Sequence, residues 1–183
     1  MTGQGLITVG HGTSGRTKLT TLLHGAGVAK LVDVRTAPGS RRNPDATLSE
    51  LQCWLPATDI EYRWEKRLGG WRKAAPDSPD IVWRNVSFRG YAAYMRDPDF
   101  VAAIEPLLED VAQSPTAVMC SETLWWRCHR RLIADFVVLS RRVPVHHLMQ
   151  DGRLVPHVPT PGVRLRADGL LIYDDIAASL QKV

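Results

Sequence analysis

The stretch from Pro115 onward most narrows what this chain can fold into. Pro115-Thr116-Ala117-Val118-Met119 has the length and β-branched, apolar character of a buried strand, and residues 132–139 (Leu-Ile-Ala-Asp-Phe-Val-Val-Leu) read as a helix packed on a sheet. A strand that enters a helix through a polar turn belongs to open α/β architectures, where ligands bind at the carboxyl edge of the sheet. The turn between them, Cys120 to Arg131, holds two cysteines, a glutamate, a histidine and three arginines. A turn that only joined two elements would not need them.

The same alternation recurs upstream. Residues 5–9 are apolar and stop at the glycine turn Gly10-His11-Gly12-Thr13-Ser14-Gly15, and residues 16–24 then read as a helix. Residues 30–35 form a second strand, so the pair is parallel and joined by a crossover. Thr47 reads as the N-cap of a helix over 48–55, and Ile60-Glu61-Tyr62-Arg63-Trp64 alternates like a strand. Residues 68–80 form a long loop or lid, helices are expected over 91–95 and 99–113, and a last strand over 143–148. Beyond it, Asp151-Gly152 and Asp168-Gly169 favour hairpin turns. The expectation is an α/β, three-layer fold with a mostly parallel sheet of about five strands, flanking helices and a short C-terminal hairpin-like appendage. Residues 1–150 form the domain and 151–183 an extension packed on it.

Composition excludes several classes. No apolar run approaches membrane-spanning length, so no membrane role is expected. Three cysteines, an odd number without a secretory apolar segment, argue against a disulfide framework and for a reducing, cytoplasmic setting. The net charge of +4 is a mild excess that suits an anionic partner without demanding one.

The convergence of cations is the best functional signal. Arg35, Ser40 and Arg41 follow the second strand, Arg127 and Arg130 follow the fourth, and His11, Thr13 and Ser14 follow the first. In a parallel sheet all three groups share one edge, and guanidinium forks suit phosphate or carboxylate. The expected ligand is therefore a small phosphorylated or nucleotide-like anion, with Arg35, Ser40, Arg41, Arg127, Arg130 and Thr13 as its binding residues. His11 or His129 would handle protons and Glu122 would orient one of them. The bland counter-reading is a buried network in which Arg35 pairs with Asp33 or Glu122.

Cys120, at the strand's end, is the better nucleophile candidate. Cys128, Leu132 and Phe136 recur on one helical face, which suits a core residue. A cysteine loop that cradles an oxyanion wants arginine where this chain has Trp126. Cys120, Cys128 and His129, joined by His11 or His147, have the chemistry of zinc ligands, but a seven-residue gap between the cysteines is not the usual paired spacing. No metal and no cofactor are therefore expected. Gly10-x-Gly12-x-x-Gly15 with Asp33 formally matches a dinucleotide fingerprint. A second functional reading, nucleic-acid binding without turnover, uses the basic and aromatic residues 62–89.

Taken together, Thr8-Val9-Gly10-His11-Gly12-Thr13, Asp33-Val34-Arg35 with Pro38 and Ser40-Arg41, Leu68-Gly69-Gly70, Phe88-Arg89-Gly90-Tyr91 with Tyr94-Met95, Met119-Cys120-Ser121-Glu122, Cys128-His129-Arg130 and Val145-His146-His147-Leu148 resemble the blocks of the DUF488 family, a domain of unknown function. The resemblance runs from Leu6 to Leu148. It implies an α/β domain with polar signatures at strand ends. It also implies that serine can stand at Gly12, which makes the glycine triplet incidental. It carries no established activity, so function rests on the chemistry of the residues.

Overall fold

The computed structural model describes residues 5–39 and 41–177. Its main sheet has six strands: β1 (Leu6–Gly10), β2 (Lys30–Asp33), β3 (Glu61–Trp64), β4 (Thr116–Cys120), β5 (Val145–Leu148) and β6 (Leu154–Pro156), in the order β3-β2-β4-β1-β5-β6. The first five run parallel and β6 pairs antiparallel with β5 at the edge. Among the described residues, five helices flank it: α1 (Arg16–Gly25), α2 (Leu48–Trp54), α3 (Val86–Tyr94), α4 (Pro98–Gln113) and α5 (Arg130–Arg141). A small hairpin, β7 (Arg164–Leu165) with β8 (Leu171–Ile172), completes the tail.

The apolar strands are explained by burial on both faces. Ile7, Val9, Leu31, Ala117 and Met119 pack with Leu19, Leu23 and Leu51 of α1 and α2. Their neighbours Leu6, Val32, Val118 and Cys120 pack with Tyr91, Phe100, Ile104 and Phe136 of α3, α4 and α5. Right-handed crossovers put helices on one face while the chain steps from β1 to β3, and on the other while it steps back through β4 to β5. The connections after β2 and β4 therefore part to opposite faces, which opens a crevice above the carboxyl ends of these two neighbours.

The α/β class, the parallel sheet and the C-terminal hairpin match what the sequence predicts. The sheet carries one strand more than expected, because the turn at Gly152 (φ 86°) folds residues 154–156 back onto β5. Gly169 (φ 80°) likewise turns the β7–β8 hairpin. Helix α3 starts earlier than residue 91, since the Asn85 side chain caps it by accepting from the Ser87 and Phe88 amides (2.9 and 3.2 Å). Pro98 opens α4 behind an Asp97 cap. Among the described residues, no helix is long and apolar enough to cross a membrane.

Candidate functional site

A cavity of about 460 Å³ lies over the carboxyl ends of β2 and β4. One wall is the β4–α5 turn, with Cys120, Glu122, Arg127, Cys128 and His129; opposite stand Arg35, Gly70 and Trp71, and Asn85, Ser87 and Phe88 at the start of α3.

Arg35 is held from behind. Its Nε and Nη2 donate to the Asp33 carboxylate, with Nε–Oδ1 at 2.9 Å, and Nη1 donates to Nε2 of His11 at 3.1 Å. Asp33 is fully buried and also accepts the Tyr62 hydroxyl at 2.7 Å. Burial opposes the charge on Arg35, but the hydrogen bonds and charge of Asp33 override it and raise the guanidinium's pKa. His11 is 1% exposed. Burial first, and then the adjacent Arg35 charge, lower its pKa to about 4, so the ring is neutral near pH 7. Its Nδ1 lies 2.9 Å from the Gly12 carbonyl, which can only accept; Nδ1 therefore carries the hydrogen and Nε2 is the acceptor for Arg35. His11 thus braces Arg35 and does not line the cavity.

Arg130 plays a comparable part on the other side. It is 1% exposed, donates from Nη1 to the Glu122 carbonyl (2.6 Å) and from Nη2 to the Thr123 carbonyl (3.4 Å), and among the described residues its Nε has no partner. Among the described residues it makes no ion pair with a carboxylate. Gly10 makes this possible: a Cβ there would fall 2.7 Å from Arg130 Nη1 and on top of the Glu122 carbonyl. The guanidinium thereby ties the β4–α5 turn back on itself, packed against Gly10, while the His11 and Gly12 amides hold the turn to the end of β1 by donating to the Cys120 and Ser121 carbonyls (3.0 and 2.9 Å).

That clipped turn brings three residues together. The Nδ1 of His129 lies 3.8 Å from Cys120 Sγ and 3.6 Å from Cys128 Sγ. Its Nε2 sits 3.0 Å from the Val34 carbonyl, and its ring packs on Tyr91. All three residues are buried at the cavity wall. The hydrogen bond with Cys128, and then burial, push the Cys120 thiol up. For Cys128 burial opposes ionisation, but the Cys120 hydrogen bond and the Arg130 charge bring it down to about 7. The seven-residue gap that argued against a ligand pair thus says nothing about space, because the turn folds back on itself. Cys128 joins the core as expected, although it precedes α5 in extended backbone (φ −125°, ψ 150°) and does not share that helix's face, and its sulfur also faces His129.

The other predicted residues divide. Arg35, Cys120, Glu122, Arg127 and His129 line the cavity, whereas His11 and Arg130 stand behind it. Thr13 and Arg41 are exposed and do not line it, and Ser40 lies outside the described residues. The start of α1, beside Thr13, already has an anion: Asp45 Oδ2 accepts the Arg16 amide at 2.9 Å. Several lining residues were not predicted as site residues, Trp71 and Gly70 among them. Trp71, 79% exposed, was read as part of the loop or lid over 68–80 and of the basic and aromatic stretch 62–89, not as a residue of this cavity. Gly70 is needed because a Cβ there would come within 2.6 Å of His129 Nδ1. In residues 62–89, Arg63 pairs with Asp110 and Glu65, Arg67 pairs with Glu65, Arg72 lies over Tyr94, and Arg89 donates to the Trp83 carbonyl. Those cations are largely satisfied internally.

Comparison with family models matches residues 16–137 to a domain of unknown function, DUF488. No curated protein and no solved structure matches the chain.

Proposed function

The chain belongs to the DUF488 family, and from the chemistry of its site we propose that the cavity at the carboxyl edge binds a small phosphorylated, nucleotide-like anion. The observation that carries this reading is the pairing, around one cavity, of a cation without a carboxylate and an aromatic face without a cover. Arg127 is exposed and makes no ion pair among the described residues, while Trp71 is 79% exposed at the same mouth. Trp71 presents its indole face to solvent at the cavity, and a nucleobase stacked on it would gain about 1–3 kcal/mol. Arginine is suited to phosphate, and Arg127 is the arginine of this wall whose fork is not committed to a carboxylate among the described residues, Arg35 being paired with Asp33. Asn85 and Ser87 bring the positive end of α3 to the same space. Glu122, exposed at the rim, is the carboxylate available to a ribose hydroxyl or to a proton in transit. The alternative nucleic-acid reading of residues 62–89 is weaker, because most of that segment's arginines already face internal acceptors.

Titration with adenosine monophosphate, adenosine and inorganic phosphate, followed by calorimetry and tryptophan fluorescence, tests this. The expected result is that the monophosphate binds more tightly than either part, with quenching from Trp71. Arg127→Ala should then weaken it by roughly tenfold or more, as loss of a charge-assisted hydrogen bond implies. Trp71→Ala should weaken both monophosphate and nucleoside, with the fold unchanged in each variant. Equal affinity for all three probes, no binding, or wild-type affinity in both variants would overturn the reading.

A further inference from the structure

Cys120 ends β4, and Cys128 and His129 immediately precede α5, yet their donor atoms lie within 4.8 Å of one another. We propose that Cys120, Cys128 and His129 form a binding site for one zinc-type transition-metal ion, with three protein ligands and a fourth position open to the cavity.

The nitrogen–sulfur distances fit the ion. With zinc–sulfur bonds of about 2.3 Å and zinc–nitrogen bonds of about 2.0–2.1 Å, tetrahedral angles set each nitrogen–sulfur edge at roughly 3.5–3.6 Å. The observed edges from His129 Nδ1 are 3.6 and 3.8 Å. The lone pair is also aimed. The Val34 carbonyl can only accept, so Nε2 carries the hydrogen, and in the neutral ring Nδ1 is left bare toward both sulfurs. An imidazole whose far nitrogen donates to a backbone carbonyl is the usual arrangement of a metal-ligating histidine. Tyr91 and Gly70 fix the ring plane, the glycine because any side chain would displace the ring.

The alternative is that two core thiols share one weak hydrogen-bond acceptor. That reading explains the packing but gives no reason for three soft or borderline donors to converge at a cavity wall. Two sulfurs and an imidazole select zinc or a similarly soft ion over magnesium or calcium. Three protein ligands with an open position are the form zinc takes where it binds a water or an exogenous group rather than only bracing a fold. That open position faces the same space as Arg127, Glu122 and Trp71. The metal site shares the cavity with the anion proposed above, but it stands on its own donors.

The experiment uses the full chain, reduced and stripped with chelator, titrated with cobalt(II) as a spectroscopic stand-in and then with zinc. One ion per chain is expected, with a thiolate-to-cobalt charge-transfer band, the intense visible bands of four-coordinate cobalt, and loss of both when zinc is added. Cys120→Ser and Cys128→Ser should each lower affinity by more than the roughly 10–100-fold that loss of a ligand's own hydrogen-bond partner costs. Cys53→Ser is the control, because that thiol is exposed on α2 and lies away from the cavity. Far-ultraviolet circular dichroism of the metal-free variants checks folding. Should a serine variant fail to fold, His129→Gln, read by the loss of one nitrogen donor in the cobalt spectrum, replaces it. Absence of the charge-transfer band in the wild-type chain, its persistence in the Cys120→Ser/Cys128→Ser double variant, or its loss with Cys53→Ser would each overturn the proposal. Arg127→Ala and Trp71→Ala should leave the cobalt spectrum intact while weakening the monophosphate. The failure of one proposal is therefore visible apart from the failure of the other.

Discussion

His11 uses both ring nitrogens on structure, one on the Gly12 carbonyl and one on Arg35, and burial keeps it neutral with a pKa of about 4 against 6.5 for a free ring. The unfolded chain therefore binds a proton between those values that the folded chain refuses, and stability must rise with pH across that window. The contribution is fully present above pH 6.5 and is lost as pH falls toward 4. A shift of this size corresponds to roughly 3 kcal/mol. His147, lowered to about 3 first by burial and then by the His157 charge, acts in the same direction. The expected result is a urea midpoint that drops markedly between pH 7 and pH 4.5, and a His11→Gln variant in which part of that drop disappears. An identical drop in the variant would mean that His11 is not coupled to folding. From the sequence, His11 is legible as a strand-end residue beside an arginine cluster. Which nitrogen meets which partner is not, because nothing local to residue 11 reports that Arg35, 24 residues on, will lie against it. The Arg35–Asp33 pair was more legible, since the residues are two apart and a buried arginine needs a carboxylate.

Helices and strands were read mainly from apolar periodicity, and periodicity says where an element is but not how the turn beyond it is threaded. The β4–α5 turn is the case in point. Its flanking strand and helix were both anticipated, whereas the approach of Cys120 to Cys128 accompanies Arg130 donating to the Glu122 and Thr123 carbonyls, in space that the bare backbone of Gly10 leaves open. Arg130 carries a buried charge without a carboxylate among the described residues, so two effects oppose each other in any substitution. Truncation loses two hydrogen bonds and leaves a void; removal of the charge relieves a desolvation cost. Arg130→Ala should destabilise the fold by about 2–4 kcal/mol, while Arg130→Met, which keeps the volume and sheds the charge, should cost distinctly less. Urea unfolding of both variants checks the ranking. An Arg130→Ala chain with a wild-type midpoint but no affinity for adenosine monophosphate would instead make Arg130 part of the ligand's clamp.

Across the whole molecule, the α/β class was legible because the central strands β1, β2 and β4, buried on both faces, leave a continuous apolar signature, while the strand order was not, since burial alone does not distinguish neighbours. The least legible part was how the tail integrates. Residues after Gln150 read as an appendage, yet they close a line of hydrogen bonds through the interior. Thr8 on β1 meets His147 on β5 at 2.7 Å, His147 meets His157 at 2.9 Å, and His157 meets Asp135 of α5 at 2.9 Å. The Asp135 carboxylate also accepts the Thr160 amide and the Tyr173 hydroxyl, both at 2.8 Å. Three of this fully buried carboxylate's donors therefore come from the tail, and Trp125 stacks flat on His147 to seal the line. Tyr173→Phe removes one donor from Asp135 at almost constant volume. It should cost about 1–2 kcal/mol, or roughly 2–8 °C in a chain of this length. Truncation after Gln150 removes all three donors and uncovers the core around Leu171 and Tyr173, leaving a buried carboxylate with nothing to satisfy it. Cooperative thermal unfolding, followed by circular dichroism, should therefore persist in Tyr173→Phe at a lower midpoint and vanish in the truncated chain. A truncated chain that melts cooperatively at the full-length midpoint would show that the domain folds without its tail, and that Asp135 finds other partners.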